Sequence, residues 1–207
     1  MTDSMRPVER QQVVAGDLGR YLREALPGDP GIDAVGCAGG TVADQLRRCL
    51  EHGDLTGRPH VRLRVVVPDF TQPLDGPRGV NGEGGAEDDE VLRRELLREA
   101  VGLAHEMAAL DRRLHSGRRA RLDVEFRVLH LTPVVTFCLI DRSQLFDAAR
   151  DRGEGKAAPR LSPAAGRDAV LTRWHVDAGA AARERIRARG LLFDALWSVA
   201  RPLTRTG

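Results

Sequence analysis

Apolar residues recur along the chain at two spacings, one typical of helices and one typical of strands. Between residues 7 and 26 they recur every three or four positions, as at Leu18, Tyr21 and Leu22, which predicts an N-terminal helix. The cluster of Pro and Gly after residue 26 ends this helix. A short apolar run over residues 32–38 then predicts a buried strand.

A second helix and the clearest strand of the chain follow. Thr41 stands where a helix N-cap is expected, Asp44 lies three residues later, and the apolar spacing predicts a helix over 41–52. Residues 61–69 alternate between apolar and charged side chains and then become continuously apolar. This pattern is typical of a strand that enters a covered sheet.

The remaining elements are a long helix, three strands and a closing helix. Residues 88–115 have acidic side chains in the first turn and arginines in the last, which predicts a helix. Residues 122–131 alternate as a half-buried strand, and 134–140 follow as another after Pro133. These two are expected to form an antiparallel hairpin. A strand over 170–176 and a helix over 180–199 are the last elements that the sequence predicts.

This order of elements predicts one α/β domain over residues 1–207. Strands and helices alternate first and a hairpin comes late, which indicates a mixed, mostly parallel sheet with helices on both faces. Two segments rich in Gly, Pro and charged residues, 69–87 and 151–168, are expected to be flexible surface loops.

Charge and composition argue against several classes of function. The 32 basic residues, of which only Lys156 is a lysine, are balanced by 30 acidic residues, so a nucleic-acid partner is not indicated. Aromatic residues make up 4% of the chain, too few for a base-stacking surface. No run of about 18 apolar residues occurs and the first 20 residues are polar, which predicts a cytoplasmic protein without a membrane partner.

Residues that carry cofactor or metal chemistry show no known spacing. The cysteines, Cys37, Cys49 and Cys138, form no CxxC pair and are expected to be free thiols in a reducing compartment. The six histidines show no metal-ligand spacing, and no GxSxG nucleophile motif is present. We therefore expect no metal, no cofactor and no catalytic residue of these kinds. The turn over residues 36–41 could bind an anion at the helix start or be a plain glycine turn.

From Ile32 onward the sequence resembles one half of the phospholipase D superfamily fold. The likeness lies in the strand over 61–69, the long helix and the two later strands, the second of which carries the HxKx4D motif in that superfamily. In this register Val134 stands at the histidine position, Thr136 at the lysine position, and only Asp141 matches. The tail over 192–203, LFDALWSVARPL, is similar to the closing helix of degenerate phospholipase D-like effector domains attached to actinobacterial helix-turn-helix regulators.

The resemblance implies a regulatory or ligand-sensing module that does not catalyse. The superfamily uses an imidazole as nucleophile and a lysine to neutralise phosphate, and valine and threonine replace them here. Half-domains of the superfamily pair through the face that carries the motif, so a homodimer is expected. The ligand, unidentified, is expected where strand ends converge, at Gly39, Gly40, Thr41, Asp69, Thr136 and Asp141.

Two other functions stay open. The chain could be an enzyme acting on a phosphate-bearing small molecule, with the turn at Gly39–Thr41 as the anion cradle and Asp69 or Asp141 as general base. It could also be an assembly protein that docks another chain on the helix over 88–115.

Overall fold

The computed structural model describes residues 11–36, 38–53, 55, 57–72, 90–130, 136–148 and 169–203. Its helices and strands are β1 Gln11–Val14, α1 Leu18–Ala25, β2 Gly31–Val35, α2 Ala38–His52, β3 His60–Pro68, α3 Glu90–Ser116, β4 Arg121–Leu129, β5 Phe137–Ile140, β6 Gln144–Ala148, β7 Val170–His175, α4 Ala180–Val199 and β8 Arg201–Pro202. Short 3-10 turns flank α1 and precede α4. Most of the two expected loops, 69–87 and 151–168, lies outside the described residues.

The strands form one eight-stranded sheet in the order β1-β7-β6-β5-β2-β3-β4-β8. The α/β class and the mixed sheet are therefore confirmed. The prediction of a mostly parallel sheet is wrong, because only β2–β3 and β3–β4 of the seven described strand pairs are parallel. Those two pairs are the ones joined across α2 and α3. The other five described pairs are antiparallel, and of these only β5–β6 is joined by a short turn.

The predicted hairpin between the strands 122–131 and 134–140 is also wrong. Strand β4 pairs with β3 and β8, whereas β5 pairs with β2 and β6. The antiparallel hairpin is instead β5–β6, closed by a turn over residues 141–143. Strand β6 escaped prediction because its five residues hold only two large apolar side chains, Leu145 and Phe146, next to each other.

The N-terminal helix predicted over 7–26 is in part a strand. Residues 7–10 lie outside the described residues, β1 covers Gln11–Val14, and the helix α1 begins only at Leu18. Val13 pairs with Leu171 of β7 and is buried, whereas Val14 is 41% exposed. The apolar side chain of Val13 is compatible with a helix face and with an alternating strand. The strand forms because this segment pairs with β7, which lies far away in the sequence.

Helices cover both faces of the sheet, as predicted. One hydrophobic core lies between the sheet and the helices α1, α2 and α3. A second and smaller core lies between the opposite face and α4, where Phe193 packs near Val66 and Phe137. The predicted bounds of α4 are confirmed at both ends.

The interface between α4 and the sheet contains a buried carboxylate. Asp33 of β2 is 4% exposed and accepts two hydrogen bonds from Arg64 of β3, at 2.8 and 2.9 Å. Arg142, in the β5–β6 turn, donates to Asp33 at 3.4 Å and to Asp194 of α4 at 2.8 Å. These four residues, the Asp33 cluster, join two parallel strands, the hairpin turn and α4 through charge-assisted bonds.

Replacing Asp33 with alanine should destabilise the fold, because it leaves the guanidinium of Arg64, only 19% exposed, without its carboxylate. We expect the free energy of unfolding to fall by about 3 kcal/mol, as for other broken buried ion pairs. Urea unfolding followed by circular dichroism measures this. The matched control is Asp123→Ala, whose ion pair with His60 is about half exposed and should contribute less than about 1 kcal/mol. Equal losses in both variants would contradict the structural role of Asp33.

Candidate functional site

Five of the six predicted site residues lie toward one edge of the sheet. Strands β2 and β3 are parallel, so the turn into α2 and the residue Asp69 both follow carboxyl strand ends. Strand β5 runs antiparallel to β2 with Phe137 opposite Val35, which places Thr136 at that same edge. We name this region the carboxyl edge, and its predicted members are Gly39, Gly40, Thr41, Asp69 and Thr136.

Asp141 lies at the opposite end of the sheet. It follows Ile140, which pairs with Ile32 near the start of β2. Its carboxylate accepts a hydrogen bond from the Gly31 N–H at 2.7 Å, and its own N–H donates to the Gly31 carbonyl at 2.8 Å. The length of β2, about 13 Å from first to last Cα, separates it from the carboxyl edge. The prediction that Asp141 converges with the other site residues is wrong, and its role in this structure is to anchor the β5–β6 turn.

The glycine turn after β2 is shaped by backbone conformation. Gly36 has a φ of 77°, a left-handed conformation that glycine adopts without strain, and its N–H donates to the Val66 carbonyl at 2.9 Å. The helix α2 begins at Ala38, so Thr41 lies inside its first turn and is not the N-cap that the sequence predicts. The N–H of Gly39 in this first turn donates to the Gly36 carbonyl at 3.0 Å, and the start of α2 carries the positive end of the helix dipole.

Close packing explains why residue 39 is a glycine, but it does not explain the glycine at position 40. A Cβ on Gly39 would lie 2.4 Å from Cγ1 of Val65, so the absence of a side chain lets α2 approach β3. A Cβ on Gly40 would meet nothing within 4 Å. Gly39 is therefore a packing residue, with no side chain and no unpaired N–H to offer a ligand.

Asp69 is a buried carboxylate with fixed partners. It is 2% exposed and accepts hydrogen bonds from the hydroxyl and the N–H of Thr71, at 2.5 and 3.1 Å, and from the Arg201 guanidinium. Burial raises the pKa of Asp69, but the bonds from Thr71 and the charge of Arg201 outweigh it and hold the pKa below the ordinary 3.8. Asp69 therefore remains ionised and engaged, which suits it to positioning Arg201 and makes it a weak general base.

A second ion-pair group lies near the carboxyl edge on the α4 side. Asp147 of β6 stands opposite Phe137, is 4% exposed, and accepts hydrogen bonds from Arg185 and Arg189 of α4 at 2.7 and 2.9 Å. Two guanidinium groups share this one carboxylate. The Asp147 and Asp69 ion pairs together contain three arginines and two aspartates, because Arg201, whose side chain is 68% exposed, pairs with Asp69. This region therefore carries a net positive charge in its ion pairs.

Sequence reasoning missed all the arginines of this edge. Arg201 is 132 residues from Asp69, and Arg185 is 38 residues from Asp147, so no local spacing connects them. The tail that carried the family resemblance contains Arg201 and was the only available signal.

A separate groove of about 270 Å³ lies between α3 and β4 and is lined in part by Ala104, Leu122 and Leu203. Asp111 and Arg112 also line it, and the Asp111 carboxylate accepts from the Leu122 N–H at 3.2 Å. The predicted site residues do not line it.

The cysteines and the helices show no further site in the described residues. Cys49 and Cys138 are buried free thiols, as predicted, and burial raises the pKa of both, so they are poor nucleophiles. Cys37 and Val134 lie outside the described residues. In the part of the chain that the structure covers, no three His, Cys, Asp or Glu side chains group as metal ligands, and every helix is too short or too polar to cross a membrane.

A search with models of known protein families and a search of curated proteins both find no match to this sequence.

The two neighbouring glycines of α2 should respond in opposite ways to alanine. Gly39→Ala forces a methyl group against Val65 and should lower the free energy of unfolding by about 1–3 kcal/mol. Gly40→Ala meets open space in a helix and should leave stability unchanged or raise it by up to about 1 kcal/mol. Thermal and urea unfolding of both variants provide the measurement. A Gly39→Ala protein as stable as the parent would show that α2 does not need this close approach.

Asp69 should make the fold sensitive to acid. Because the folded pKa lies below the ordinary 3.8, its stabilisation is complete above that pH and is lost as the pH falls through the folded pKa. The free energy of unfolding should therefore drop more steeply below about pH 4 in the parent chain than in Asp69→Asn. Arg201→Ala, which removes one cause of the shift, should also reduce the slope. Identical slopes in all three proteins would rule out this linkage.

Proposed function

We propose that the chain is a non-catalytic phospholipase D-like module that binds a small anionic ligand at the carboxyl edge. It acts as a cytoplasmic regulatory or ligand-sensing protein and does so as a homodimer. The observation that carries the proposal is that the α2 start, Thr136 and the Asp69–Arg201 pair all lie at the end of the sheet where β2 and β3 end.

The chemistry of the edge favours an anion. The positive end of the helix dipole at the start of α2 attracts negative charge. Arg201 is held by Asp69 and remains largely exposed, so it can contact a ligand while staying in place. Arginine recognises phosphate and carboxylate groups through its planar set of N–H donors. A phosphate or carboxylate group is therefore the ligand chemistry that fits.

Binding without turnover agrees with the residue types at the edge. In the register of the resemblance, Thr136 stands where the superfamily has its lysine, and a hydroxyl donates a single neutral hydrogen bond. Asp69 is already paired, and its pKa lies below its ordinary value because Thr71 and Arg201 stabilise the carboxylate. A phosphoryl-transfer site needs a nucleophile activated by a base, and the described residues of this edge do not provide that pair.

The enzyme alternative loses support from the geometry. It needs Asp141 or Asp69 as a general base next to the anion. Asp141 is bonded to Gly31 at the far end of β2, and the low pKa of Asp69 makes it reluctant to take a proton.

The ligand proposal can be tested by thermal shift with inorganic phosphate, nucleoside phosphates and small dicarboxylates as probes. A true ligand at 100 times its dissociation constant adds about 2.7 kcal/mol, which raises Tm by about 5–10 °C for a chain of this size. Thr136→Ala should shrink that shift, whereas Asp141→Asn, changed at the opposite end of the sheet, should keep it.

Two results would contradict the proposal. One is a shift that survives Thr136→Ala and Arg201→Ala, because the ligand would then bind elsewhere. The other is release of p-nitrophenolate from bis(p-nitrophenyl) phosphate by the purified chain, which would make it an enzyme.

A further inference from the structure

The helix α4 has apolar side chains on both of its faces. Ile186 and Phe193 are buried on the inner face, where they pack on the sheet. On the outer face Leu191 is 61% exposed and Val199 is 66% exposed. A surface helix of a globular protein normally has one apolar face, and a helix that is apolar all round is one that is covered on both sides.

Four of the exposed apolar residues of α4 form one continuous stripe. Ala188, Leu191, Ala195 and Val199 are spaced three or four residues apart and are all exposed, so they lie on the same side of the helix. The two alanines carry only a methyl group, which allows another helix axis to come close. We name these four residues the α4 stripe.

The charges beside the stripe identify its partner. Arg187 and Asp194 are seven residues apart, which places them on the same flank of α4, with Leu191 close to the midpoint between them. When two copies of this helix pack antiparallel about a twofold axis near Leu191, each Arg187 faces Asp194 of the second copy. In a parallel pair the twofold axis would place this flank of the two copies on opposite sides of the interface, so Arg187 and Asp194 would not meet.

Both charged groups are accessible for such a contact. Arg187 is 74% exposed, and its nearest carboxylate is an oxygen of Glu184 at 3.8 Å, beyond hydrogen-bond distance. Asp194 is 46% exposed and is fixed in place by Arg142 within the Asp33 cluster. The acidic half of the pair is thus rigid and the basic half is free to turn.

We propose that the α4 stripe is a dimer interface occupied by the α4 stripe of a second copy of this chain. The contact is isologous and closes at two subunits, because each stripe is complementary to itself. This interface stands apart from the ligand proposal and uses a different surface from the motif-carrying face that the family resemblance implies. A monomeric chain would also remove the homodimer from the proposed function but would leave ligand binding at the carboxyl edge untouched, and a failed ligand screen would leave this interface untouched.

Light scattering after size-exclusion chromatography tests the proposal. The parent chain should give twice its monomer mass of 22.7 kDa at micromolar concentration. Leu191→Glu should raise the dimer dissociation constant by about tenfold or more, since it places two like charges at the twofold axis. The matched control is Val91→Glu on α3, 65% exposed in the same way, which should not change the mass.

A second pair of variants tests the antiparallel arrangement and does not depend on Leu191→Glu folding well. Arg187→Glu should weaken the dimer about fivefold, because it sets two carboxylates against each other in both symmetry-related pairs, whereas Arg187→Lys should keep it. Leu191→Cys in a Cys37→Ser background should form a disulfide between copies on mild oxidation, and Val91→Cys should not. A monomeric parent chain, or a dimer that survives Leu191→Glu without cross-linking at 191, would overturn the proposal.

Discussion

A buried negative charge sets the geometry of this molecule. Asp33 lies in the middle of β2 beneath α4, where an unpaired carboxylate would be costly to bury, and Arg64 and Arg142 neutralise it. The bidentate bond to Arg64 requires the β2–β3 register that is observed. That register in turn sets Gly36 beside Val66 and so places the α2 start at the carboxyl edge. Arg142 then ties the hairpin turn and α4 to the same point.

The parallel part of the fold could be predicted because its signals are local. The strand β3 and the helices α3 and α4 can each be predicted from the periodicity of their own residues, and the structure confirms their predicted positions. Strand partners carry no such local signal. The residues of β4 and β5 do not indicate that these strands pair with β8 and β2, because pairing depends on residues far away in the sequence. The same reason hides the Asp33 cluster, whose members come from four separate elements.

The candidate site was predictable to the same extent. A glycine turn after one strand and an aspartate after its parallel neighbour must share an edge once the strands pair, and they do. Asp141 was misplaced because its position depends on the direction of β5, which the motif does not encode. The arginines come from the C-terminal part of the chain. There the sequence predicts the helix α4, but it does not show which carboxylates of the sheet its arginines and Arg201 will contact.

The two outermost strands of the sheet affect how readily the protein aggregates. Both outermost strands are short: β1 has four residues and β8 has two. The part of β4 that β8 leaves uncovered presents Arg121, Asp123 and Glu125, and a side chain already occupies its Leu122 N–H. Interrupted, charged margins of this kind discourage strand-to-strand stacking and the amorphous or fibrillar deposits that follow from it. The β4–β8 side of the sheet is thereby protected from unplanned strand pairing in a crowded solution.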